Sequence, residues 1–97
     1  MKKVKKRTLS LINQYEIPVT LWLKPWGGDY TLLPGDNFVV EAASADEDFD
    51  LNFNLSRDGY YVYIQGNCEY AVVLENNKVL ELGHNRDKNP AFTKNKF

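Results

Sequence analysis

Apolar positions recur along this chain at the period of a β-strand. In residues 17–24, Ile17, Val19, Leu21 and Leu23 share one face and Thr20, Trp22 and Lys24 the other. The strongest alternation runs over 49–56. There Phe49, Leu51, Phe53 and Leu55 fall opposite Asp48, Asp50, Asn52, Asn54 and Ser56, which predicts a half-buried strand with a wet acidic face. Residues 8–13 and 37–43 give two further strands, the second carrying the run Phe38, Val39 and Val40 that suits burial on both faces. Arg57-Asp58-Gly59 turns the chain into a strand over 60–65, with Tyr61 and Tyr63 on one face and Tyr60, Val62 and Ile64 on the other. Gly66-Asn67 and Asn76-Asn77 bracket 68–75, and a last strand covers 78–83. No stretch has the helical period.

The stretch from Trp22 to Asp36 reads as a corner. A strand ends at Lys24, residues 25–29 reverse, Tyr30 to Leu33 form a short strand, and Pro34-Gly35 fits the two central positions of a type II turn. Short strands separated by turn signals at roughly 8 to 12 residue spacing predict an all-β, single-domain antiparallel β-sandwich or small barrel of about 7-8 strands. Residues 8–85 form that domain. Residues 1–7 are a basic N-terminal tail, and residues 86–97 a basic, loose C-terminal tail in which Phe92 and Phe97 are the apolar members.

Composition narrows the class. With 97 residues, 43% hydrophobic and 13% aromatic, the chain closes one core and is not of the disordered type. The single cysteine, Cys68, allows no internal disulfide, so a reducing cytoplasm is the expected location. Met1 to Arg7 resembles the start of a signal peptide, yet Asn13, Gln14, Glu16 and Pro18 interrupt any apolar continuation. No segment approaches the roughly 18 apolar residues of a membrane span.

The net charge of -1 hides a segregation. Lys2, Lys3, Lys5, Lys6 and Arg7 crowd one end, and Arg86, Lys88, Lys94 and Lys96 the other. Between 8 and 85, Lys24, Arg57 and Lys78 face every carboxylate of the chain except Asp87. Such a body repels nucleic acid phosphates and attracts basic protein surfaces. Specific nucleic acid binding is therefore not expected, since a reader of single strands interleaves its aromatics with basic groups rather than acids.

Catalytic and metal chemistry find no support in the residue types. One histidine, His84, and one methionine, Met1, do not make a blue-copper set, and Cys68 with His84 falls short of a zinc site. A Cys68–His84 nucleophilic pair has no accompanying oxyanion-hole motif. A calcium loop begun at Asp46 would need glycine where Leu51 stands and glutamate where Arg57 stands. No cofactor and no catalytic residue is assigned, and a non-enzymatic role is expected.

Two candidate binding surfaces remain. Asp46, Glu47, Asp48 and Asp50 form an acidic face able to receive a basic protein partner. Trp22, Trp26, Tyr30, Tyr61 and Tyr63 form an aromatic set able to stack a carbohydrate or small ligand, or to anchor an interface. The segment Trp22 to Asp36, a Pro-Trp-Gly corner followed by a Pro-Gly-Asp turn, resembles a stretch of small, mostly uncharacterised bacterial β proteins, a resemblance over about fifteen residues that implies no catalytic residue. In character, an acidic single-domain β protein without a catalytic set is similar to immunity proteins that neutralise basic toxins. The expected function is a non-catalytic protein-binding module, an immunity-type inhibitor being its most concrete form, with carbohydrate or small-ligand binding as the alternative.

Overall fold

The computed structural model describes residues 3–25 and 27–93. Eight strands fold as two four-stranded sheets: β1 (Lys5–Ile12), β2 (Val19–Lys24), β3 (Gly28–Leu32), β4 (Asn37–Ser44), β5 (Asp50–Ser56), β6 (Gly59–Gln65), β7 (Tyr70–Glu75) and β8 (Lys78–Val79). The first sheet has the order β1-β4-β7-β8 and the second β3-β2-β6-β5, a two-sheet sandwich rather than a closed barrel. All pairings are antiparallel except β2 with β6. That parallel contact joins strands separated by three others in sequence, so no local alternation could reveal it.

The core lies between the sheets. The second sheet contributes Leu21 and Leu23 from β2, Tyr30 and Leu32 from β3, and Tyr60, Val62 and Ile64 from β6; Phe38, Val40 and Ala42 of β4 and Val73 of β7 face them. β4 has neighbours on both sides, which is why its apolar run is not interrupted by exposed positions.

The corner folds as its residues require. Asp36 N–H donates to the Leu33 carbonyl at 2.9 Å, and Gly35 takes φ 87° between them. Asn13, fully buried, locks the other side: its Nδ2 donates to the Ile17 and Leu32 carbonyls, both at 2.9 Å, and its Oδ1 accepts from Tyr15 N–H. Asn76 and Asn77 close the β7–β8 hairpin with φ 52° and 67°, the left-handed pair that asparagine tolerates. Gly59 has a different reason. A Cβ there would stand 2.2 Å from the Thr20 carbonyl oxygen, so the β2–β6 contact closes only over a bare backbone.

Three expectations change. β1 begins at Lys5 rather than Thr8, because Lys5, Lys6 and Arg7 pair with Ser44, Ala43 and Ala42 along a sheet edge where charged side chains meet water. The basic N-terminal tail is thus shorter than residues 1–7. The second half of β5, the edge strand of its sheet, is not half-buried: Phe53 is 43% and Leu55 62% exposed. Residues 86–92 are not loose. A 3-10 turn (Arg86–Lys88) and a short helix, α1 (Pro90–Thr93), lie as a strap across the outer face of the second sheet, tied down by polar groups that in the sequence look like a solvated tail. Phe97, Lys94 and Lys96 lie outside the described residues, as does Trp26. No helix among the described residues is long and apolar enough to cross a membrane.

Candidate functional site

Side chains that point away from the core on the second sheet are Thr20, Trp22 and Lys24 of β2, Asp29 and Thr31 of β3, and Tyr61 and Tyr63 of β6, as the registers Thr20↔Thr31, Trp22↔Asp29, Trp22↔Tyr61 and Lys24↔Tyr63 require. The parallel pairing therefore sets Trp22 directly beside Tyr61. Their rings stack at 6.2 Å with 21° between planes, Phe92 of α1 tilts onto Trp22 at 5.9 Å, and Lys24 Nζ lies 5.7 Å from the Trp22 ring.

The strap that carries Phe92 is pegged at two points. Asn89, 2% exposed, donates from Nδ2 to Thr20 Oγ1 at 2.7 Å and to Thr31 Oγ1 at 2.9 Å, while its Oδ1 accepts from Ala91 N–H at 3.0 Å and starts α1. Arg86 grips the buried Asp29 carboxylate with two donors, Nε at 3.0 Å to Oδ2 and Nη2 to Oδ1. That hydrogen-bonded ion pair raises the guanidinium pKa above its ordinary value. Arg86 also stands 5.6 Å from the Phe92 ring.

Between strap and sheet runs an open groove of about 680 Å³, lined by Thr20, Trp22, Tyr61, Asn89 and Phe92, with Arg57 and Asp58 of the β5–β6 turn at its rim. Trp22 Nε1 is shut off from solvent and has no acceptor among the described residues. An aromatic wall and a few convergent polar groups suit a small polar ligand with apolar ring faces.

The aromatic set of the sequence is thus divided. Trp22 and Tyr61 come together in the groove, Tyr63 stands 43% exposed farther along the same face, and Tyr30 does not belong. Tyr30 pairs with Leu21 and points into the core at 4% exposure, because it lies one residue from Trp22's partner Asp29 and adjacent residues of a strand face opposite ways. Burial, with the nearby Asp29 carboxylate second, raises the Tyr30 phenol pKa above its ordinary value.

The acidic set is divided too. Asp46 is a loop organiser: Oδ1 accepts from Asp48 N–H at 2.9 Å and Oδ2 from Asn67 N–H at 3.0 Å. Asp50 accepts from Leu51 N–H at 2.8 Å and faces Arg7 Nε at 3.8 Å. Glu47 and Asp48 remain exposed, and with Glu69, Asn67 and Cys68 they border a shallow depression of about 1010 Å³ that the chain's own Lys3 and Lys5 also line.

Chemistry beyond binding finds few parts. No group of three or more His, Cys, Asp or Glu capable of holding a metal occurs among the described residues. His84 packs edge-on against Phe38 at 5.6 Å, with Nε2 4.0 Å from Glu75. Asn89, Arg86 and Phe92 escaped the sequence reading, although Asn89-Pro90 carries a helix-start signature, asparagine at the cap followed by proline at the first helical position. The chain matches no protein-family model, no curated protein and no solved structure.

Proposed function

We propose that this protein is a non-catalytic binding module whose ligand lies in the groove between the outer sheet face and the strap, stacked against Trp22 and Tyr61. The observation that carries the reading is the in-register Trp22–Tyr61 stack, walled by Phe92. A carbohydrate fits that chemistry: its C–H faces stack on aromatic rings, and its hydroxyls pair with Arg57 and Asp58 at the rim. The test is a titration of ¹⁵N-labelled protein with an oligosaccharide panel, following the indole N–H resonance assigned to Trp22 by its loss in Trp22→Phe. A saturable shift with at least one glycan, absent in Tyr61→Ala, supports the reading; an unmoved resonance across the panel sinks it.

A second reading has its own observation. The depression bordered by Glu47, Asp48 and Glu69 is also lined by Lys3 and Lys5, so carboxylates and ammonium groups share it. A basic protein partner, as for an immunity-type inhibitor, would displace those lysines. Charge reversal of Glu47, Asp48 and Glu69 would then abolish capture of the partner, and capture would weaken as salt rises. A partner whose binding ignores both changes rules this surface out.

A further inference from the structure

Sheet edges expose unpaired N–H and C=O groups, and among the described residues three of the four edges carry a feature that deters pairing. β1 carries Lys5, Lys6 and Arg7, charges that deter pairing. β8 is two residues long. β3 is covered by the returning chain, with Thr31 N–H donating to the His84 carbonyl at 2.9 Å and Gly83 N–H to the Asp29 carbonyl at 2.8 Å. β5 is seven residues long and contains no lysine, arginine, proline or glycine. Of its apolar side chains, Leu51 is half-buried against the core and Phe53 and Leu55 are exposed. Phe53 meets Tyr60 at 5.6 Å between ring centroids, and Tyr15 lies close enough to Tyr60 to join burial in raising its phenol pKa.

The direction of the free groups follows from the hairpin. A two-residue loop makes Ser56↔Gly59 a hydrogen-bonded pair, so Asn54, Asn52 and Asp50 bond inward to β6, and Leu51, Phe53 and Leu55 turn their N–H and C=O groups to the free edge. Leu51 shows it, since its N–H is met by the Asp50 side chain and not by a strand.

The sequence on that edge is Asp50-Leu-Asn-Phe-Asn-Leu-Ser56, in which Leu51 to Leu55 reads identically in both directions about Phe53. In an isologous contact residue i meets j and j meets i, so a palindromic strand paired about its centre sets like against like at each of these positions. The geometry points to a two-fold homodimer in which β5 of one chain pairs antiparallel with β5 of a second copy, Phe53 opposite Phe53, Leu51 opposite Leu55 and Asn52 opposite Asn54. Outward-turned groups then meet outward-turned groups, and the exposed Phe53 and Leu55 cover one another on a single face. Charge selects the antiparallel sense. Within the strand it sets Asp50 opposite Ser56, whereas in-register parallel pairing would set Asp50 against Asp50. The two sheets become one continuous sheet of eight strands, with the rim residues Arg57 and Asp58 of the Trp22 groove at the end of the contact.

The full chain tests this by sedimentation velocity over a dilution series. A mass twice that of one chain at high concentration, dissociating on dilution, is expected. Hydrogen exchange read by NMR on the same samples should show the Phe53 and Leu55 amides protected in the dimer and exposed in the monomer, a readout that needs no variant. Phe53→Lys and Phe53→Glu each oppose like charges on the two-fold axis and should raise the dimer dissociation constant at least about a hundredfold. An equimolar mixture of the two should restore dimers, because position 53 faces itself. A single-chain mass persisting to about 1 mM, where only the weakest contacts remain unformed, overturns the proposal. So does a dimer whose Phe53 and Leu55 amides exchange freely, or mixed variants that stay monomeric although each is folded by circular dichroism.

Discussion

Asn89→Ala probes how the strap is held. The alanine removes two donated hydrogen bonds, at 2.7 and 2.9 Å, and the acceptor that begins α1. Both partners, Thr20 and Thr31, are buried at 4% and 0% exposure, so neither hydroxyl gains water in exchange. Each neutral hydrogen bond contributes about 1 kcal/mol, and stranding buried partners adds to that, for a loss of about 2–4 kcal/mol. For a domain of this size that lowers Tm by about 10–25 °C. Urea denaturation followed by far-UV circular dichroism gives the stability without depending on Trp22. The decisive step is a cycle with Thr20→Val/Thr31→Val, because both hydroxyls bond the same amide. In that background Asn89→Ala should cost at least about 1 kcal/mol less than in the parent. Equal costs in the two backgrounds, or a loss below about 0.5 kcal/mol in the parent, would show that the peg does not hold the strap.

Other outcomes are specific enough to check. Gly59→Ala drives a Cβ to 2.2 Å from Thr20 O at φ 132°, whereas Gly35→Ala at φ 87° meets nothing within 4 Å; urea midpoints should show a loss of about 3–5 kcal/mol for the first and about 1–2 for the second. Asp46→Ala should cost about 1 kcal/mol by freeing the Asp48 and Asn67 amides, while Glu47→Ala, with no such contacts, leaves the urea midpoint in place. Alkaline pH should destabilise the fold. Burial raises the Tyr30 pKa, so the native state holds its proton where the unfolded chain has lost it, and stability falls from about pH 10, the unfolded phenol, up to the raised native value. Tyr30→Phe should flatten that slope in pH-dependent urea melts, with Tyr60 and Tyr70 supplying the remainder.

Much of the fold was legible because its signals are local. The corner at Pro34-Gly35, the Asn76-Asn77 hairpin and the inward faces of β2, β4 and β6 each depend on residues a few positions apart. What escaped depends on distant chain. Phe53 and Leu55 have the alternation of a buried face, yet they stand exposed on the edge strand of their sheet. Polar Arg86 and Asn89 looked like tail because nothing nearby announces Asp29, Thr20 and Thr31, some 57, 69 and 58 residues away, as their partners. The site followed the same rule: Trp22 and Tyr61 were recognised as facing away from the aliphatic stripe, yet their stacking needed the parallel β2–β6 register. Tyr30 joined the aromatic set by residue type alone, and only its pairing with the inward Leu21 shows it to be core.

That parallel register also orders the chain's assembly in time. Leu21 of β2 has no second neighbour until Tyr60 of β6 has left the ribosome, and Leu9 of β1 waits for Val40 of β4. The hairpins β2–β3, β5–β6 and β7–β8 can form as they emerge, but joining them closes long loops, which places the domain among slow folders on the millisecond-to-second scale. During that wait β2 presents Leu21 and Leu23 on a bare edge, the interval in which a nascent chain most needs a chaperone.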